Sequence, residues 1–195
     1  MSQLFHILQI GPLPPPAGGM ETFMKQLLNS SLRNDYRLSV LNMSKPGIPD
    51  SVTAGTSSGY REAFMRPVFY TLLSYFWSVL YFIRFMLFLG MHQIHIVHIH
   101  SASYTSFWEK CLYIAYARVL KKRIVLHIHG SCFQAFYMEH HRAFQRWIHF
   151  LLGLCDRVVV LSPVWKRFFQ REMPRVRTRV IENGIRAAGF HRKHG

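Results

Sequence analysis

The chain has 195 residues, half of them hydrophobic, with 24 Lys and Arg against 9 Asp and Glu and a formal net charge of +15. That length supports one α/β domain with a real core, and a two-domain enzyme would be cramped in it. Three widely spaced cysteines, Cys111, Cys132 and Cys155, suggest neither a disulfide framework nor a paired-cysteine metal knuckle, and the charge asks for an anionic partner: nucleic acid, an acidic membrane or a phosphate-bearing substrate.

The first apolar run lacks a basic segment before it and stops at Gly11-Pro12, so no secretory signal is read there, and a reducing, cytoplasmic compartment fits the cysteines. Leu4 to Ile10 has the alternation of a first strand. Gly11 to Gly19 is a loop, stiff through its prolines and bare at Gly18 and Gly19. Met20 to Leu32 then places Phe23, Leu27, Leu28 and Leu32 at helical spacing. A glycine pair opening a helix offers free amides and the positive end of the dipole to an anion, although a plain turn explains it about as well. No Gly-x-Gly-x-x-Gly fingerprint can be written through the loop.

Tyr36 to Met43 reads as a second strand, and Ser44 to Arg61 as a Gly, Ser, Pro and Thr-rich loop. Val68 to Ile83 carries no charge and is crowded with Phe, Tyr, Trp and Leu. Arg84 interrupts it before the roughly 20 apolar residues of a full span, and the run resumes through Phe85 to Met91. Its place directly before a core strand favours a buried or interface-lying helix over a spanning one.

Two strands then end alike. Ile94 to Ser101 reads Ile-His-Ile-Val-His-Ile-His-Ser, and Arg123 to Ser131 reads Arg-Ile-Val-Leu-His-Ile-His-Gly-Ser. Nearly unbroken β-branched runs suit parallel strands covered on both faces, and His127 and His129 project from one face of theirs. As neighbours in one sheet the two strands would gather His98, His100, His127 and His129 at one edge, where open α/β sheets bind ligands. Strand histidines also serve as core hydrogen-bonding groups, and at least two of the four are expected to be structural.

Between and after these strands, Ser106-Phe-Trp-Glu109 has the pattern of a capping box and predicts a helix to about Leu120, closed by Lys121, Lys122 and Arg123. Ser131 to Tyr137 reads as a loop, Arg142 to Leu154 as a helix, and Arg157 to Leu161 as a buried strand. Ser162-Pro163 caps a last helix, and Val180-Ile181 forms a short final strand before Glu182-Asn183-Gly184-Ile185. Alternation of this kind predicts right-handed crossovers and a doubly wound, mostly parallel, Rossmann-like sheet.

The order of landmarks resembles the amino-terminal, acceptor-side half of a glycosyltransferase family 4 enzyme with the GT-B fold. It comprises Gly18-Gly19 with Glu21 behind them, Ile96 to His100, His129-Gly130, Asp156 to Ser162, and Asn183-Gly184-Ile185 with Phe190. The resemblance implies retaining transfer of a sugar from a nucleotide-sugar donor to a glycan or lipid-linked acceptor, as in polysaccharide biosynthesis, with no cofactor and no essential metal. It implies that Gly18 and Gly19 lie against the donor phosphate and that His129 is catalytic, steadying charge near the transferred sugar. His100 and Gly130 would line the acceptor cleft, and Asn183 and Gly184 would form an interdomain hinge. Residues 1–182 are expected to be the Rossmann-like domain and 183–195 the start of a linker.

Arg186 stands where the family usually has Asp, and the donor-gripping glutamates of the family are not found in these residues. Little transferase activity is therefore expected of the chain alone, and a separate chain carrying the donor domain is one possible partner. The aromatic stretch and the charge suggest a peripheral place on the inner face of an anionic membrane. A non-catalytic membrane- or acceptor-binding module with the same fold is the alternative. A metal-dependent hydrolase built on the His-x-His pairs is disfavoured by length and by scarce acids. Nucleic acid is not expected, because no recognition module is present.

Overall fold

The computed structural model describes residues 5–14, 18–46, 68–130 and 132–183. Six parallel strands form one sheet: β1 (His6–Gly11), β2 (Arg37–Asn42), β3 (Ile96–Ser101), β4 (Arg123–Ile128), β5 (Arg157–Val160) and β6 (Thr178–Val180), in the order β2-β1-β3-β4-β5-β6. The doubly wound α/β expectation therefore holds. Seven helices are found among the described residues: α1 (Gly19–Leu28), α2 (Leu32–Asp35), α3 (Val68–Met91), α4 (Thr105–Val119), α5 (Phe133–Met138), α6 (Arg142–Gly153) and α7 (Pro163–Glu172).

The step from β1 to β2 runs one way across the sheet and every later step runs the other way. Right-handed crossovers therefore put α1 on one face and α3 to α7 on the opposite face. The strand sequences match that asymmetry. Val97 and Ile99 of β3 and Ile124, Leu126 and Ile128 of β4 are buried with Phe107, Ile114, Phe133, Phe136 and Phe169 of the helix-rich side. Phe133 links the rings of Phe107 and Phe169, at 5.5 and 5.3 Å between centroids, so the layer is continuous from α4 to α7. The alternate residues, Gln9, His98, His100 and His127, turn to the face that α1 covers. Between β1 and β3 the order reverses, and the carboxyl ends there are where such sheets take ligands.

Three local expectations are corrected. The first helix stops at Leu28 rather than Leu32, because the Asn29 N–H turns back onto the Lys25 and Gln26 carbonyls and the Ser30 hydroxyl donates to the Leu27 carbonyl. Leu32 then starts the separate turn α2 and is exposed. The expected loop from Ser131 to Tyr137 instead contains α5, held by burial of Phe133, Phe136 and Tyr137. The capping box at Ser106 does not form. The Ser106 hydroxyl accepts from the Ala102 N–H at 3.2 Å, and Glu109 is drawn to Lys45 and Lys110, at 3.2 and 3.0 Å. Ser162 does cap α7, accepting from the Trp165 N–H with Pro163 in the first turn. Of the Ser44 to Arg61 loop, residues 47–61 lie outside the described residues.

Helix α3 buries one side only. Tyr81, Phe85 and Leu89 pack into the core, while Phe69, Leu72, Tyr75, Phe76, Val79, Ile83, Leu87 and Met91 are exposed, with 42 to 71% of each open to solvent. Its inner side near the start is polar: Lys45 donates to Ser74 and Ser78, and the Tyr81 hydroxyl donates to the Ser44 carbonyl. By length and composition, Phe69–Met91 could cross a membrane, with a mean hydropathy of 1.7, but the polar ties and the three buried residues fasten it to the sheet. The helix thus packs on the protein along one side and leaves apolar surface exposed along the other.

Candidate functional site

The site is built on the carboxyl ends of β1, β3 and β4. Register places His100 beside His127 and His98 beside Val125, so the two His-Ile-His strands are neighbours and their rings share a face. The ring centroids of His127 and His129 are 4.0 Å apart, those of His98 and His100 4.3 Å, and those of His100 and His129 5.2 Å. A polar chain runs through them. Gln9 Oε1 accepts from His100 Nε2 at 3.0 Å, which leaves His100 Nδ1 bare to accept from His129 Nε2 at 2.9 Å. Phe23 of α1 closes over the group, 4.9 Å from the His127 ring, 5.1 Å from His129 and 5.6 Å from His100.

Burial sets the protonation of these rings. His98 is pushed down to about 3 by burial and then by its neighbour His129. His127 is pushed to about 2 by burial, with His129 and His98 adding, and His129 to about 4 by burial. Burial and then the other three imidazoles hold His100 well below its ordinary value. All four are neutral at pH 7. The unfolded chain binds these protons near pH 6.5 and the native chain only at much lower pH, so stability is lost as pH falls from 6.5 toward 4. In chelator-containing buffer, urea midpoints should drop steadily over that window, and His127→Phe should make the slope shallower. A flat midpoint from pH 6.5 to 5 would contradict this.

The predicted residues separate into two groups. His100, His129 and Gly130 meet at one point. A Cβ on Gly130 would stand 2.5 Å from Ser103 Oγ and 2.8 Å from the Ser103 nitrogen, so glycine is required for the β3–α4 loop to pass. Gly130→Ala should therefore cost about 1–3 kcal/mol, read in a denaturant titration, since backbone rather than a flexible side chain must move. The same loop carries Tyr104 at φ 57°, a left-handed conformation costly for an aromatic residue and typical of site edges.

Gly18 and Gly19 open α1, one turn before Phe23, and so share the helix that covers the histidines. The Glu21 carboxylate folds back against Gly18, within contact of where a Cβ would be, while Gly19 faces open space. The amides of this helix start thus already sit beside the chain's own anion. Asn183 is exposed beyond β6, and Gly184, like the rest of the expected linker through residue 195, lies outside the described residues.

Four contributors were not picked out as site residues from the sequence: Gln9, Gly11, Phe23 and Ser103. Gln9 is a lone amide in an apolar strand, a signal that becomes legible only when register puts it beside β3. Gly11 ends β1 where a Cβ would come within 3.1 Å of the His100 Cβ. Away from this edge, a groove of about 600 Å³ lies at the amino end of the sheet, lined by Arg146, Phe150, Leu154 and Arg175. A second recess holds Arg157, Lys166, Arg177 and Arg179.

A doubly wound α/β domain with a histidine-lined edge at its switch point has polar side chains gathered where such sheets bind ligands. The family model described as Glycosyltransferase Family 4 matches residues 17–188, and the chain belongs to that family. Comparison with curated proteins and with solved structures returns no significant match.

Proposed function

We propose that this chain is the acceptor-side domain of a retaining glycosyltransferase that moves a sugar from a nucleotide-sugar donor to a lipid-linked or glycan acceptor at a membrane surface. The observation that carries the reading is the junction of His100, His129 and Gly130 at the carboxyl ends of β3 and β4, beneath the helix that Gly18 and Gly19 begin. Negative charge builds on the leaving phosphate and positive charge at the sugar in such a transfer, and oriented dipoles at a water-poor edge stabilise both.

His129 is the residue assigned to the transferred sugar. Its Nε2–H is held by His100, and its Nδ1 has no partner among the described residues. To donate to a sugar, the ring must turn away from His100, which gives the acceptor cleft two states. Gly18 and Gly19 take the donor phosphate once Glu21 swings aside.

The acceptor's lipid nature is supported by α3. Its 24 residues extend about 36 Å, against about 20 Å for the six-residue strands, so it reaches well past the sheet. The chain enters α3 after β2 and leaves it for β3, so the helix begins at the carboxyl edge. Exposed Phe69, Leu72, Tyr75 and Phe76 therefore lie at the end of the molecule where the histidines are. A lipid-borne acceptor would arrive beside its site, and the formal charge of +15 favours the anionic inner leaflet.

Binding of a nucleotide-sugar series to the chain, followed by calorimetry, tests the proposal. Saturable binding that Gly18→Val weakens at least tenfold is expected. Absence of binding for the whole series would remove Gly18 and Gly19 as a phosphate site, and the non-catalytic acceptor- or membrane-binding module would follow if a supplied donor domain did not restore it.

A further inference from the structure

The hydrogen bonds from Gln9 through His100 to His129 leave part of the histidine cluster unaccounted for. His127 is fully buried, yet both of its ring nitrogens lack a partner among the described residues, and so does His98 Nε2. Buried imidazoles left in that state cost free energy, and such groups call for a bound species. The three rings are also close enough to share one. A ligand nitrogen from each of His98, His100 and His127 lies within 4.8 Å of the other two.

Gln9 adds a second feature of a built site. By accepting from His100 Nε2 it fixes that ring's tautomer and leaves Nδ1, now held by His129, as the nitrogen with a lone pair for an ion, as outer partners do for metal-bound histidines. Phe23 shields the rings from above. Three neutral imidazoles without a carboxylate suit a borderline transition ion and disfavour Mg²⁺ and Ca²⁺, which require oxygen ligands.

We propose that His98, His100 and His127 form a binding site for one zinc-class divalent cation. Zinc-bound nitrogens stand about 3.3 Å apart, so the rings draw inward from their present spacing on binding. Because His100 Nδ1 would then face the ion, His129 loses its hydrogen-bond partner and its ring is released. Occupancy would set which of its two states His129 adopts. The site itself does not depend on the sugar-transfer reading, whereas that consequence for catalysis does.

The test uses the full chain, stripped with a chelator and dialysed against Zn²⁺ with metal analysis, and separately titrated with Co²⁺ to read the visible absorption of a tetrahedral nitrogen site. One equivalent per chain is expected in both. His127→Phe, which keeps the ring volume, and His98→Phe should each weaken uptake at least 100-fold. Gln9→Leu should weaken it roughly 10- to 100-fold through loss of the orienting hydrogen bond. Exposed His141→Ala should change nothing. Circular dichroism confirms folding of each variant; if one of the phenylalanine variants fails to fold, the other and Gln9→Leu decide. Less than stoichiometric uptake by the wild-type chain, or uptake unaffected in the folded variants, would overturn the proposal and leave ordered water as the partner of these nitrogens.

Discussion

Joint substitution Tyr75→Glu and Phe76→Glu is expected to lower the affinity of the chain for anionic lipid vesicles at least 100-fold while leaving its thermal stability unchanged. Both side chains are more than half exposed and face away from the core residues Tyr81, Phe85 and Leu89 of the same helix, so the folded state loses little. In the bound state each ring would give up burial worth about 1.5–3 kcal/mol, and each new carboxylate would be repelled by the anionic surface by about 1 kcal/mol. A 100-fold loss needs only about 2.7 kcal/mol. Vesicle sedimentation gives the affinity and a melting curve gives the control. Unchanged affinity would remove α3 from the membrane contact. A large drop in melting temperature would show that the stripe packs against protein.

The second large effect is expected at His129. His129→Ala should reduce the rate of sugar transfer by about 10²–10³-fold, with donor and acceptor affinities changed only a few-fold, because one oriented hydrogen-bond donor at a reacting centre contributes on that order. Gln9→Leu should act through His100 and cost less, about tenfold, since it disorders the ring that holds His129 without removing a group from the sugar. If His129→Ala raised the acceptor KM and left the turnover rate intact, His129 would be a binding residue and its catalytic assignment wrong.

Much of the architecture was written in local pattern. The apolar runs around Val97 and Val125 are long enough and sufficiently β-branched to read as buried strands. The paired His-Ile-His endings pointed to one edge before the register of β3 against β4 was known. What stayed hidden depends on partners distant in sequence. Glu109 looked like a helix cap because Ser106 stands three residues before it. Its actual partner, Lys45, comes from 64 residues away and competes better for the carboxylate. Gln9 carried no meaning until β1 lay beside β3. The five-residue pattern Phe133-x-x-Phe136-Tyr137 is too short to show periodicity, and only the buried layer from Phe107 to Phe169 makes it a helix. The exposed side of α3 was ambiguous for the opposite reason. Its apolar residues recur on every side and its serines Ser74 and Ser78 face inward to Lys45, so polarity did not mark which side met solvent.

The most direct measurement is transfer of labelled sugar into the solvent-extractable lipid of membranes prepared from cells that express the full chain, with each member of a nucleotide-sugar series as donor. Labelled lipid product is expected with at least one donor when the cells also supply a donor-binding domain, lost in His129→Ala membranes and reduced in step with vesicle binding by Tyr75→Glu with Phe76→Glu. Product formation that is equal in wild-type and His129→Ala membranes would contradict the assignment of this edge as the place where the sugar is transferred.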